Sequence, residues 1–84
     1  MKIQIEETIY QGTGTEIMDQ LRGEIFEVPT EVPDTESYIR FLQGNAIRMA
    51  GRECPLPEKD TEARAVAMLR HLEQLGALIM LEAA

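Results

Sequence analysis

Eighty-four residues, 44% of them hydrophobic, suit one globular domain near the lower limit of independent folding, and argue against both disorder and a multidomain chain. A single cysteine, Cys54, excludes an internal disulfide and a cysteine-built zinc cage. The net charge of −7 opposes binding to phosphate backbones, no run approaches the ~18 apolar residues of a membrane span, and the opening MKIQIEE lacks the apolar segment of a signal peptide.

In chain order, KIQIEETIY places Ile3, Ile5 and Ile9 on one parity and Gln4, Glu6 and Thr8 on the other, the pattern of a half-buried strand. A tight hairpin about Glu6-Glu7 is the alternative, but that pair lacks the Asn or Gly of a two-residue turn, so one strand is preferred. Gly12-Thr13-Gly14 follows. Thr13 stands three before Glu16 in capping-box spacing and opens a first helix with Ile17, Met18 and Leu21 as its apolar side and Gly23 as its stop. EIFEV reads as an optional short strand and PTEVPD as irregular. Asp34 caps a second helix reaching Ala50, with Gly51 closing it and Tyr38, Ile39, Phe41, Leu42, Ala46, Met49 and Ala50 on one arc. After the extended RECPLPEK, Asp60 caps a third helix whose stripe is Ala65, Met68, Leu69, Leu72 and Leu75, and Gly76 stops it. ALIMLE is the last strand. The methionines on these stripes read as core.

The expected class is therefore α+β over a single domain, residues 1–84: a small two- to three-stranded sheet, first and last strands paired, covered by three helices in the order β-α-(β)-α-α-β. ALIMLE is apolar on both parities, which marks a strand buried on both faces. Three short helices cover one side of so small a sheet, so Leu78, Ile79, Met80 and Leu81 are the candidate dimer strand, with the chain's own connectors as the alternative cover.

Strand, glycines and helix is also the plan of a phosphate cradle. Here the third glycine of a dinucleotide fingerprint is replaced by Ile17, no Walker lysine is present, and Glu16 and Asp19 occupy the helix start. Turn plus cap is the preferred reading. Arg40, Gly44 and Arg48 stack at i, i+4, i+8 with Arg52 beyond, a candidate docking face for an acidic partner or nucleic acid; the preferred competing reading is that these arginines pair with Glu24, Glu27 or Glu31 or lie on a solvated face. Cys54 and His71 would need folding to unite them before they made a nucleophilic pair, and no orienting third residue announces itself. Glu6 and Glu7 point to opposite faces of one strand and form no acid–base couple. No catalytic, cofactor-binding or metal-binding residue is assigned.

Charge is unevenly placed: residues 1–37 carry nine acidic and two basic residues, and residues 38–84 carry six of each. The expected function is a small soluble, non-enzymatic interaction or structural module, cytoplasmic and bacterial, homodimeric, with an acidic N-terminal half open to a protein partner. The alternative rests on two consecutive helices followed by LEQLGALIMLE, which resembles the helix-to-wing passage of winged-helix proteins. That resemblance implies nucleic-acid binding or regulation by the third helix, with Arg64, Arg70 and His71 entering the groove. The chain's net charge runs against it.

Overall fold

The computed structural model describes residues 1–24 and 34–83. The elements are β1 (Lys2–Ile5), β2 (Thr8–Gln11), α1 (Gly14–Gly23), α2 (Thr35–Ala50), α3 (Thr61–Gln74) and β3 (Ile79–Glu82). The α+β class holds, and the first and last strands do pair: β1 is the centre of an antiparallel sheet ordered β2-β1-β3. The optional strand at EIFEV begins at Glu24 and otherwise lies outside the described residues.

The first segment is a hairpin and not the single strand expected. Ile5 pairs with Thr8, so Glu6 and Glu7 form a two-residue turn, both exposed. Glu6 takes a positive φ of 54°, a conformation that costs a side-chain-bearing residue about 1–2 kcal/mol. Eight paired residues and the burial of Ile3 and Tyr10 outweigh that cost. The pairing continues past β1 and β2, since the Gly12 N–H donates to the Met1 carbonyl at 3.0 Å and the Met1 amino group donates to the Gly12 carbonyl at 2.7 Å. Folding back exchanges faces. Ile3, Tyr10 and Met80 now share one row, and Ile9 joins Gln4 and Ile79 in the opposite one.

The helix starts follow the sequence closely. Thr13 and Glu16 complete the capping box on α1, while Asp34 and Asp60 accept from the Ser37 and Ala63 amides at 2.8 Å. The Ser37 amide, then its hydroxyl, hold the Asp34 carboxyl below the usual range. Gly51 closes α2 in the left-handed region, and Gly76, also at positive φ, follows the Leu75 cap of α3. Gly23 is instead the last helical residue of α1, and Glu24 is the cap.

One core holds the layers together. Ile3, Tyr10 and Leu78 from the sheet side meet Ile17 and Met18 of α1, Tyr38, Ile39 and Ala46 of α2, and Ala65, Met68 and Leu69 of α3. Cys54 is buried in the same cluster. Met18 and Met68 are fully buried, as expected, but Met49 is 83% exposed and stands outside the core. Arg64 ties α3 to α2 through Glu36 (Nε to Oε1, 2.6 Å) and to the connector through the Pro57 carbonyl (3.0 Å).

Candidate interaction surfaces

The outer face of the sheet carries the apolar surplus of ALIMLE. Leu78, just before β3, is buried and Met80 is half-buried, but Ile79 is 59% and Leu81 43% exposed. Ile9 on β2 adds 54% exposure, and the register sets Ile9 and Ile79 on either side of Gln4. ALIMLE therefore has one buried face and one apolar face that no described connector covers. A register shift between Lys2 and Ile3 sets Lys2 against Glu82 and leaves Leu81 without a partner, a bulge at the end of β3. β3 is an edge strand of the sheet. Among the described residues no strand pairs with its far side, the position from which an edge recruits a further strand.

At the glycine loop the structure supplies an anion from within. The Glu62 carboxylate, reaching from α3, accepts from the Gly14 amide (2.8 Å), the Thr15 amide (2.9 Å) and the Thr15 hydroxyl (3.0 Å). Burial pushes the Glu62 carboxyl up, but the amides of Thr15 and Gly14 and the hydroxyls of Thr15 and Thr13 together outweigh it and hold the group below its ordinary value. The position at which a bound phosphate would meet the helix start is filled by the protein's own carboxylate. Sequence reading found the capping box and missed this second anion, 48 residues away in the chain.

The basic strip is exposed and only partly paired. Arg40 approaches Glu36 at 3.9 Å, and Arg48 donates to the Asn45 side-chain oxygen. Arg52 is exposed. Of the carboxylates considered for these arginines, Glu27 and Glu31 lie outside the described residues. Among the described residues nothing comes within 4 Å of a side chain built at Gly44, so no close approach from them requires that glycine. Beside the strip, the C-terminal half of α2, the end of α3 and the Gly76-Ala77 turn enclose a groove of about 410 Å³. Leu42, Ala46, Met49, Leu72 and Leu75 line it, with Asn45 as the polar side chain among the lining residues.

Cys54 and His71 come to neighbouring parts of the fold without forming a nucleophilic pair. The His71 Nε2 lies 2.7 Å from the Pro55 carbonyl, and the Cys54 carbonyl accepts from the Gln43 side chain at 2.8 Å. The thiol itself is buried. The Nε2–H donated to that carbonyl positions the connector, and no hydrogen bond joins the His71 ring to the thiol. On α3, Arg64 is occupied by Glu36 and Pro57, and His71 by Pro55, leaving Arg70 as the exposed member of that trio.

Tyr10 reaches across the sheet end to Glu24, its hydroxyl donating to Oε2 at 2.6 Å. That bond, then burial, raises the phenol above its ordinary value, and burial raises Tyr38. Among the described residues no three His, Cys, Asp or Glu side chains cluster as metal ligands, and no helix is long and apolar enough to cross a membrane. Comparisons with protein-family models, with curated proteins and with solved structures each return no match to this chain.

Proposed function

We propose that this protein is a non-enzymatic interaction module that works as a homodimer, two copies joining through β3 and the outer face of the sheet. The observation that carries this reading is the exposed row of Ile9, Ile79 and Leu81 beside an edge strand. Natural edges are blunted by lysine, proline or inward charge; the stretch from Ile79 to Leu81 has none of these. A bulge at Leu81 limits pairing to the first part of the strand. Antiparallel pairing of β3 with its symmetry mate gives a six-stranded sheet, pairs both free edges by one two-fold operation, and sets the outward apolar side chains of the two β3 strands beside each other across the seam. The acidic N-terminal half, including Glu6, Glu7, Glu16 and Asp19, stays at the surface and suits a basic partner or solvation.

Sedimentation over the micromolar to millimolar range tests the reading. The expected result is a monomer–dimer equilibrium that Ile79→Lys shifts to monomer while the far-ultraviolet circular dichroism stays native. A wild-type chain that sediments as a monomer throughout would remove the reading.

A further inference from the structure

The groove between α2 and α3 shares no residue with the outer sheet face, and its chemistry is different. Its volume of about 410 Å³ falls within the range of small-molecule sites, and such sites combine an apolar lining with a few placed polar groups. Here the apolar part is Leu42, Met49, Leu72 and Leu75, and no acidic side chain among the described residues lines the groove. The polar lining side chain is Asn45, and its oxygen accepts from the guanidinium of Arg48, an exposed residue that is not itself part of the lining. Among the described residues Arg48 pairs with no carboxylate, so its remaining N–H donors and its charge are uncompensated. Met49, 83% exposed on the same helix, is an unbranched and adaptable side chain that can close over an aliphatic body.

We propose that this groove binds a small amphiphile with an aliphatic body and one carboxylate. The body lies along Leu42, Met49, Leu72 and Leu75, and the carboxylate takes the free donors of Arg48 in a charge-assisted hydrogen bond. Charge complementarity selects an anion over a cation, because a positive head group would face Arg48 with no acid in the lining to receive it. A single arginine held by Asn45 matches a single carboxylate. The volume matches one such molecule better than a partner helix, which needs anchoring sites repeated along several turns. The site is independent of self-association through β3, so either proposal can fail alone.

The test is a titration of the full chain with octanoate below its micellar concentration, followed by amide nitrogen–proton correlation spectra. Octyltrimethylammonium serves as the cationic control. Octanoate is expected to cause saturable shifts confined to residues 42–50 and 72–77, with the control at least about tenfold weaker. Arg48→Glu and Met49→Glu, both at exposed positions, are each expected to weaken octanoate by about tenfold or more. Arg48→Gln provides the neutral comparison if either charged variant loses its native spectrum. The proposal is overturned by equal binding of both head groups, by an unchanged affinity in Arg48→Gln, or by shifts centred on Ile9 and Ile79. It is also overturned if the groove amides shift with protein concentration alone and octanoate does not compete, which would assign the groove to a second copy of the chain.

Discussion

Glu62 and Gly14 are locked together: the Glu62 carboxylate lies 2.8 Å from the Gly14 amide, and a Cβ at position 14 would lie 3.0 Å from the same carboxylate and 2.9 Å from Val66 Cγ2. The start of α1 thus rests directly on the first turns of α3. The glycine is there for closeness, since an added methyl would also stand 3.1 Å from the Val66 backbone nitrogen, which cannot move aside as a side-chain tip can. A loop that looks built for an external anion is built to receive an internal one.

Replacing that glycine tests the contact. Gly14→Ala gains intrinsic helix propensity worth about 1 kcal/mol at an interior position and less at the helix start. The overlap with Val66 works in the opposite direction at about 1–3 kcal/mol. The expected outcome is net destabilisation in urea unfolding, whereas Gly44→Ala, with nothing near its added methyl, should stabilise by up to about 1 kcal/mol.

Glu62→Gln keeps the shape and removes the charge. Hydrogen bonds to a charged acceptor contribute about 1.5–3 kcal/mol and neutral ones about 0.5–1.5, so the exchange is expected to cost roughly 1 kcal/mol at neutral pH. The folded-state carboxyl titrates below its unfolded value, so its contribution is fully present above the ordinary carboxylate range. It fades as pH falls through the depressed folded value. Wild type and Glu62→Gln should therefore converge in stability at acid pH, and a constant difference between them would contradict the assignment.

At the alkaline end the sign reverses. Tyr10 and Tyr38, the two tyrosines of the chain, both titrate above the ordinary phenol value of about 10. Their contribution is complete below that value and is lost as pH rises through the raised one. Ultraviolet titration should find phenolate forming at higher pH in the native protein than in urea. Glu24→Gln should lower the Tyr10 midpoint, because the hydrogen bond to Glu24 is the largest cause of its shift.

The turn at Glu6 offers a gain. Its positive φ suits glycine, so Glu6→Gly should raise the thermal midpoint, with about 1 kcal/mol of strain relieved against some added freedom in the unfolded chain. A loss of stability would mean that the Glu6 side chain is needed at the turn.

Arg64 and Glu36 should be coupled. The pair joins two helices at 2.6 Å with both side chains mostly buried, so each single truncation strands a partner. A double-mutant cycle with Arg64→Ala and Glu36→Ala is expected to give an interaction energy of about 1 kcal/mol, above that of an exposed pair. Additivity of the two changes would assign Arg64 to the Pro57 carbonyl alone.

Much of the fold is legible in local chemistry. Thr13, Asp34 and Asp60 mark helix starts because a short oxygen-bearing side chain satisfies the free amides of the first turn within three residues. Gly51 and Gly76 mark ends because a left-handed backbone is cheapest without a Cβ. The hairpin is less legible. Its turn residues argue against it, and the energy that overrides them comes from strand pairing and from the burial of Tyr10. Met49 shows the limit of a periodic pattern, which gives the side of a helix that is apolar but not how far along that side the neighbouring helix extends.

The same division separates the candidate surfaces. Composition and period are enough for the helix starts, most helix ends and the surplus of apolar residues in ALIMLE, since these depend on neighbours within a few residues; the α+β class and the pairing of first and last strands follow from how few strands the chain offers. Which face of ALIMLE stays uncovered, the Glu62 carboxylate on α1, and the apolar groove between α2 and α3 depend on how separate elements pack. Those outcomes follow from register and from contacts between residues far apart in the chain, where a two-residue turn reverses every side chain that comes after it.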